Sequence, residues 1–364
     1  MLERRSIHNV DWLLAFSVLA LASIGVGMVY SATSEGPLSG LAARQAAYLL
    51  AGFAVMVLVM AIDYHTLAEL SYVFYAATLL ALVYLLFFGR AIANTRGWVE
   101  LGPVNFQPAE AAKVTTLLAL SVFMSRRRTA GLGFTNMVSI LGIVGIPVLL
   151  IARQPDLGTA LTFLPLVAVA AFLGGIRVRT ILILALIPIL ALPLIWNHYL
   201  QGRQKVLVVT FLDPTSDPRG VGYQVIQSKI AVGSGGLTGK GFLEGTQGQL
   251  KFLPAQHTDF IFSVIGEETG FLGVFVVMGL YFFMLARMFL SVGLARDRAG
   301  VYIVFTASML IAFQFLVNIM MIIGLFPVVG ITLPFLSYGG SSLLTNFIAV
   351  GLVLNVRMRR FANV

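Results

Sequence analysis

Long and almost uncharged apolar stretches recur along this chain, and they constrain its fold more than any other feature. About ten of them reach the ~20 residues that an α-helix needs to cross the hydrocarbon of a bilayer. The predicted spans are 12–31, 43–62, 67–89, 107–124, 135–152, 157–175, 180–197, 259–286, 301–323 and 338–356. We therefore predict an all-α polytopic membrane protein in which residues 1–364 form a single integral membrane domain.

The charged residues are distributed as membrane topology requires. Only 11% of the residues are charged, against roughly 25% in soluble domains. On one side, the short connections carry Arg4, Arg5, Arg126, Arg127, Arg128, Arg177, Arg179, Arg287, Arg296, Arg298, Arg357, Arg359 and Arg360. On the other side they carry Arg44, Arg90, Arg96 and Arg153. Basic loops stay inside, which predicts cytoplasmic termini.

The same distribution excludes several classes of protein. The net charge of +9 lies in short clusters between spans, which argues against nucleic-acid binding. The chain has no cysteine, so disulfides and thiolate metal sites are excluded. The first apolar run has the length of a full span and no A-x-A site follows, so we predict no cleavable signal peptide.

Two segments on the predicted outer side differ from the short connections. Residues 90–106 contain Trp98 and Phe106 and are expected to form an interfacial loop. Residues 198–258 form a much longer extracytoplasmic loop. Within this loop, polar residues are interspersed among the apolar residues of Val225–Val232, which predicts a short amphipathic helix lying in the membrane interface.

The long loop also has a glycine-rich part, GSGGLTGKGFLEGTQGQ, with seven glycines in seventeen residues. It fails the Walker pattern, because Ser234 stands where the first glycine belongs and Gly241 replaces the Ser or Thr. A phosphate-binding P-loop is therefore rejected. Two interpretations stay open: residues 198–258 are a mobile cover hinged at Gly233–Gly248, or they are a static loop that docks a partner.

Asp259 is the strongest candidate for chemistry. It lies in KFLPAQHTDFIFSVIGEETG, at the predicted boundary between the outer loop and a span. A carboxylate at the edge of hydrocarbon is costly and indicates a functional site. The alternative is that Asp259 only caps the following helix, a position that aspartate favours. Glu267 and Glu268 are expected to pair with basic residues of other spans and not with Asp259.

Other ionisable residues fall near the ends of predicted spans. Glu110 and Lys113 lie three residues apart in NFQPAEAAKV, on one helix face. They form either a structural charge pair or part of a site. Asp156, in ARQPDLGTAL, has the position of an acid favoured by a helix dipole. It is also the candidate for orienting a cation or binding a divalent metal ion, although the sequence contains no metal-ligand cluster.

Five segments together resemble the shape, elongation, division and sporulation family. They are FQPAEAAK, QPDLGTAL, QSKIAVGSGGLTGKG, TDFIFSVIGEETGFLG and NIMMIIGLFPVVGITLPFLSYGGSS. Their order and spread, from about Asp11 to Arg357, make the resemblance cover nearly the whole chain. FLDPTSDP, GKG and GTQGQL before FLP are closer to the elongation members than to the division members. Two positions depart from the family pattern, Ala109 in place of Ser and Ala255 in place of Glu.

The resemblance implies an inverting bacterial glycosyltransferase that polymerises lipid II into peptidoglycan on the outer face of the cytoplasmic membrane, for cell elongation and shape. Its partners would be lipid II, the growing glycan on polyprenyl diphosphate, membrane lipids and a class B penicillin-binding protein. The alternatives are a lipid II flippase and a non-catalytic membrane partner of such a protein. The resemblance implies no certain cofactor.

The chemistry of such a reaction can be assigned to residue types. The attacking hydroxyl needs a base, and the leaving diphosphate needs positive charge. Asp259 is the candidate base. The candidate substrate-binding residues are Lys113, Arg153, Asp156, Lys240, Lys251, His257, Ser337 and Gly339.

Overall fold

The computed structural model describes residues 9–34, 38–92, 95–101, 104–127, 133–175, 202–249 and 252–360, and its architecture is a bundle of helices. The helices are α1 (Trp12–Thr33), α2 (Leu41–Ala61), α3 (Tyr64–Glu69), α4 (Ser71–Phe88), α5 (Pro108–Ser125), α6 (Phe134–Arg153), α7 (Leu157–Leu161), α8 (Leu164–Leu173), α9 (Gly202–Leu212), α10 (Val221–Ser234), α11 (Thr246–Gln249), α12 (Ile261–Val292), α13 (Arg298–Ile322) and α14 (Gly340–Met358). A 3-10 turn, Pro214–Ser216, joins α9 to α10.

The predicted fold class is confirmed. Among the described residues, seven helices are long and apolar enough to cross a membrane, namely α1, α2, α4, α6, α12, α13 and α14. Helix α5 has 18 residues and coincides with the predicted fourth span. Helices α7 and α8 together form a shorter apolar segment at the sixth. The predicted span 180–197 lies outside the described residues, so the total of ten remains a prediction.

Helices α13 and α14 form the centre of the bundle, and α2 and α4 expose apolar side chains at its periphery. The crossing of α2 and α14 is close because a glycine lies at the contact. A Cβ added at Gly52 would lie 2.2 Å from the ring of Phe347. At a second point, a Cβ at Gly351 would meet the carbonyl of Met56 at 3.1 Å. Small residues at helix crossings allow such close backbone approach within a membrane.

A buried ion-pair cluster ties together three helices at the end of the bundle where α1 begins. Asp11 is 4% exposed, and its carboxylate accepts a hydrogen bond from the backbone N–H of Leu14. Arg287 of α12 approaches the same carboxylate at 2.9 Å and Arg357 of α14 at 2.6 Å. The two guanidinium groups offset the free-energy cost of burying the Asp11 carboxylate, whereas an unpaired buried charge has no such compensation.

The expectation of an interfacial loop at 90–106 is wrong in detail. This segment forms a small antiparallel sheet of β1 (Arg90–Ile92), β2 (Thr95–Leu101) and β3 (Val104–Phe106) in the order β1-β2-β3. Val99 is paired with Phe106 across two of the strands. Aromatic and β-branched residues favour such cross-strand pairs. The strands were not predicted because the segment is too short to show a clear alternation of apolar and polar residues.

The long segment after residue 201 is mostly helical in its described part. The amphipathic helix predicted at Val225–Val232 is present as α10, with longer bounds. It does not rest only on the membrane surface, because one face packs against α12 and α13. Ser228 is fully buried, and its hydroxyl lies 2.9 Å from that of Ser263 and donates to the carbonyl of Ile322 at 3.0 Å.

Helix α12 is broken at Gly270, where the backbone has φ 62° and ψ −162°. The glycine-rich segment 235–241, which forms turns, fills the break. The amides of Lys240 and Gly241 donate to the carbonyls of Glu267 and Glu268, at 3.0 Å each. The amides of Phe271 and Leu272 donate in turn to carbonyls of the segment. Two bonds that a continuous helix would make internally are thus exchanged for four bonds to the segment.

The close contact between this segment and α12 requires its glycines. A Cβ at Gly239 would lie 2.1 Å from the carbonyl oxygen of Glu268, and one at Gly235 would lie 1.9 Å from that of Gly266. Gly239 also has a φ of 79°, which side chains disfavour. The glycine-rich part was expected to act as a hinge; the structure instead gives it a packing role against α12. Its mobility remains a prediction.

Candidate functional site

Asp259 lies in a tight turn, residues 254–260, that leads into α12. Its amide donates to the carbonyl of Ala255 at 3.2 Å. The helix begins at Ile261, with Phe260 at the cap position and no side-chain capping bond. The alternative interpretation of Asp259 as a helix cap is therefore wrong.

Two contacts hold the backbone of the turn in place. Asn318 of α13 is fully buried, and its side-chain amide donates to the carbonyls of Asp259 and Ile331 at 2.9 and 2.8 Å. Ser337 donates its hydroxyl to the carbonyl of Thr258 at 2.6 Å. The turn is thus fixed from α13 and from the segment before α14. Preorganisation of this kind is what an accurately placed catalytic group needs.

Asp156 occupies the corresponding position at the start of α7. Its carboxylate caps that helix, accepting from the amide of Thr159 at 3.0 Å and from the hydroxyl of the same residue at 2.8 Å. A third bond comes from the side-chain amide of Gln107, at 2.8 Å. The sequence-based interpretation of Asp156 as a helix N-terminal acid agrees with this geometry.

The two aspartates approach the same short segment, Val329–Gly330. A Cβ at Gly330 would lie 3.6 Å from Oδ2 of Asp259, and one at Gly158, two residues after Asp156, would lie 2.2 Å from the carbonyl oxygen of Val329. Gly330 has a φ of 75°. The segment therefore contacts both acidic turns, and at Gly158 there is no space for a side chain.

Asp259 has an unusual acidity for an aspartate. Burial among packed atoms, together with the negative charge of Asp156, raises the pKa of Asp259 to about 6. The side chain is still half-buried rather than sealed. Desolvation and a like charge both disfavour the ionised form. A carboxylate with such a pKa is ionised at neutral pH, yet it is a better proton acceptor than an ordinary aspartate.

The segments singled out in the sequence meet around this pair. The amide of Gln107, just before α5, donates to the hydroxyl of Ser341 at 3.0 Å. Gln45 of α2 donates its side-chain amide to the carbonyl of Ser337 at 3.0 Å, and its oxygen accepts from the amide of Gly339 at 3.3 Å. The structure thus brings Asp156, Asp259, Ser337 and Gly339 into one region.

Ser337, Gly339 and His257 have the contacts of positioning residues. Ser337 is 5% exposed, and both roles of its hydroxyl are used, since it also accepts from the amide of Leu333 at 2.8 Å. The carbonyl of His257 accepts from the amide of Tyr338 at 2.8 Å. The ring centroids of these two residues are 5.9 Å apart. Burial lowers the pKa of the His257 imidazole, which favours the neutral ring.

The four predicted cations have different environments. Lys113 is 1% exposed and lies 2.7 Å from Oε2 of Glu110, as the three-residue spacing predicts. Lys240 lies 2.6 Å from Oε1 of Glu267. This glutamate pairs with a basic residue as predicted, but the partner belongs to the segment between α10 and α11 and not to a span. Lys251 lies outside the described residues. Arg153, the last residue of α6, is exposed.

Glu268, the second acid predicted to pair with a basic residue, accepts a hydrogen bond from the hydroxyl of Ser31 at 2.5 Å instead. Ser31 lies near the end of α1, far from Glu268 in the sequence, so no local pattern could predict this contact. Among the residues that the structure describes, no three His, Cys, Asp or Glu side chains form a group that could hold a metal ion.

Three side chains that contact this region were not predicted from the sequence: Asn318, Gln107 and Gln45. Each is an amide side chain at or within a span. Such side chains are costly in hydrocarbon and indicate internal partners. That signal could have found Asn318 and Gln45, but it gives no information on which carbonyl each of them would bind.

The family model of cell cycle proteins of the FtsW, RodA and SpoVE type matches residues 10–361. The chain belongs to this family. The resemblance inferred from the five segments is thereby confirmed over almost the full length.

Individual relatives agree with this assignment. The chain is 35% identical to peptidoglycan glycosyltransferase MrdB of Escherichia coli K12, covering 97% of this chain and 94% of that protein. It is 37% identical to the probable peptidoglycan glycosyltransferase FtsW of Thiomicrospira cyclica, covering 97% and 93%.

Solved structures extend the comparison to the fold. One chain, from a peptidoglycan synthase complex studied for the coordination of polymerization and crosslinking, has a TM-score of 0.83 and 36% identity, covering 97% of this chain and 99% of that one. The rod shape determining protein RodA of Thermus thermophilus has a TM-score of 0.72 and 32% identity, covering 97% and 98%.

Proposed function

We propose that this chain is a peptidoglycan glycosyltransferase that joins lipid II disaccharide units into glycan strands, with Asp259 as its general base. The observation that carries the proposal is the half-buried carboxylate of Asp259, held by two backbone contacts and with a raised pKa. The names of the relatives support the reaction class, and the geometry supports the residue.

In the proposed reaction, Asp259 accepts the proton of the attacking sugar hydroxyl. The hydroxyl oxygen forms a bond to the anomeric carbon of the donor, while the bond between that carbon and the diphosphate oxygen breaks. The electron pair of that bond leaves with the polyprenyl diphosphate. One direct displacement inverts the anomeric carbon and requires no carboxylate nucleophile.

Asp156 is proposed to act on Asp259 rather than on the substrate. Its oxygens are occupied by Thr159 and Gln107, and its charge raises the pKa of the base. It is thus a positioning residue. Arg153, three residues earlier, is the cation proposed for the leaving diphosphate. Among the described residues it has no carboxylate partner, whereas Lys113 and Lys240 have theirs.

The orientation proposed for the molecule places both termini in the cytoplasm of a bacterium and the acidic pair at the outer face of the inner membrane. The excess of arginine in the opposite connections supports it. A class B penicillin-binding protein is the proposed partner, since a chain of similar fold and sequence belongs to a complex that coordinates polymerization with crosslinking.

The decisive experiment uses purified protein, lipid II and the transpeptidase partner. Asp259→Asn keeps the shape of the side chain but cannot accept the proton, so polymer should fall by about 100-fold or more, within the range for loss of a general base. Asp213→Asn is the matched control, because Asp213 is an exposed aspartate of the same outer segment. Normal polymerisation by Asp259→Asn would refute the base. Absence of polymer from the unmodified protein would favour a flippase or a non-catalytic partner.

A further inference from the structure

A cavity of about 230 Å³ lies away from the acidic pair, between α9, α10 and the segment after α13. Its walls are mainly apolar and include Leu207, Phe211, Val221, Val225, Phe326 and Pro327. Within this lining there are two side chains with functional polar groups, Thr210 and Lys229. An apolar cavity with few convergent polar groups is the usual form of a site for a small amphiphilic ligand.

Thr210 has an unsatisfied hydroxyl. The residue is 1% exposed, and its Oγ1 has no hydrogen-bond partner in the described part of the chain. A helical threonine can usually bond to a carbonyl one turn earlier, so the missing bond is notable here. Buried hydroxyls without a partner cost free energy, and most such groups in proteins are satisfied. A ligand oxygen in the cavity would supply the partner.

Lys229 supplies the only charge among the lining residues. Its ammonium group lies close over Gly324, where an added Cβ would be 2.4 Å from Nζ. Gly324 has a φ of 75°, and its lack of a side chain leaves the space that the lysine occupies. Within the described ranges no carboxylate pairs with Lys229, in contrast to Lys113 and Lys240. Its positive charge is therefore available to a ligand anion.

We propose that this cavity binds a glycerophospholipid with one negative charge, such as phosphatidylglycerol. The phosphodiester would bind the ammonium of Lys229 and accept from the hydroxyl of Thr210, while part of an acyl chain contacts the apolar walls. Lysine is a common phosphate partner that acts as a point charge. One ammonium balances one phosphodiester, whereas a polyprenyl diphosphate would carry further negative charge with no second cation in the lining.

The site has a direct structural relation to the acidic pair. Phe326, Pro327 and Val328 line the cavity, and the next two residues are the Val329–Gly330 segment that contacts the turns of Asp156 and Asp259. A bound lipid would thus support the segment that contacts both acidic turns. This proposal concerns binding and does not rest on the proposed glycosyltransferase activity.

Native mass spectrometry of the full chain in detergent tests the proposal, with dioleoylphosphatidylglycerol and dioleoylphosphatidylcholine as probes. The unmodified protein should retain phosphatidylglycerol in preference to phosphatidylcholine. Lys229→Met keeps the aliphatic stem and removes the charge, and should lower the apparent affinity for phosphatidylglycerol by about tenfold, as expected for a charge-assisted hydrogen bond. Thr210→Val should lower it by about threefold, within the range for a neutral hydrogen bond.

Two variants make the result interpretable. Lys229→Arg keeps the charge and should keep most of the binding, which also shows that position 229 tolerates substitution. Arg219→Met removes an exposed cation of the same outer segment that does not line the cavity, and should bind normally. Equal retention of the two phospholipids, unchanged binding by Lys229→Met, or Lys229-dependent binding of polyprenyl diphosphate in place of phosphatidylglycerol would overturn the proposal.

Discussion

The side-chain amide of Asn318 donates to the backbone carbonyl of Asp259 at 2.9 Å, and a second bond from the same amide reaches Ile331 at 2.8 Å. One side chain in the middle of the bundle therefore connects the turn of the proposed base to the segment beyond Gly330. Without it, two buried carbonyls would lose their donors.

Asn318→Ala should destabilise the fold by about 1–3 kcal/mol, because buried groups are left unsatisfied. It should also lower kcat more than it raises KM, since Asp259 loses its fixed position. Thermal unfolding and lipid II polymerisation measure the two effects. The matched control is Asn346→Ala. Asn346 is equally buried, but both of its side-chain polar atoms lack partners in the described structure, so this change should cost less. Equal losses for the two variants would argue against the role of Asn318.

Polymerisation should depend on pH through Asp259. The base is active when ionised, and its pKa is about 6, so kcat/KM should be constant above about pH 7 and fall about tenfold per pH unit below about pH 5. Asp156→Asn removes the charge that raises this pKa and should shift the acidic limb of the profile to lower pH. A profile that remains unchanged in Asp156→Asn would contradict the proposed coupling of the two aspartates.

The Glu110–Lys113 pair provides a prediction about stability. Lys113→Met alone leaves the buried Glu110 carboxylate without its cation, and should destabilise the protein by about 3–5 kcal/mol. Glu110→Leu combined with Lys113→Met removes both charges and should be milder. The unmodified protein, Glu110→Leu, Lys113→Met and the double variant form a complete double-mutant cycle, and thermal unfolding measures the stability of each. If the double variant loses as much as the sum of the single variants, the two residues do not act as a pair.

The break in α12 can be tested with alanine. Gly239→Ala and Gly270→Ala each place a Cβ within 2.1–2.3 Å of backbone atoms, at positive φ. Each variant should lower the thermal stability strongly and release the segment 235–241 from the helix. Hydrogen exchange at the amides of Lys240 and Gly241 reports that release. Gly279→Ala is the control, because a Cβ there meets nothing within 4 Å. Slow exchange in all three variants would mean that the glycines are not required.

Patterns along the chain predicted the parts of the fold that local chemistry determines. For nine of the ten predicted spans the apolar runs coincide with described helices, although α12 ends six residues beyond its predicted bound. The spacing of Glu110 and Lys113 predicted their contact. The position of Asp259 at a span boundary predicted a functional acid, and that role stays a prediction. All of these depend on residues close in sequence.

Features that depend on distant partners could not be predicted. The glycines at 235–241 indicated flexibility, but their positions are explained by the carbonyls of Glu267 and Glu268, about thirty residues later. In the same way, Asp259 looked like a helix cap, and only the backbone path through Phe260 excludes it. Lys240 looked like a free cation, and only the tertiary fold places it beside Glu267.

The exchanged hydrogen bonds at Gly270 also have a consequence for how the protein is made. Until segment 235–241 docks, the carbonyls of Glu267 and Glu268 can bond with the amides of Phe271 and Leu272, as in a continuous helix. Hydrocarbon penalises backbone groups without partners, so the kink at Gly270 forms together with the four bonds to the segment. The segment precedes α12 in the chain and is synthesised first, so these partners are present when the helix forms.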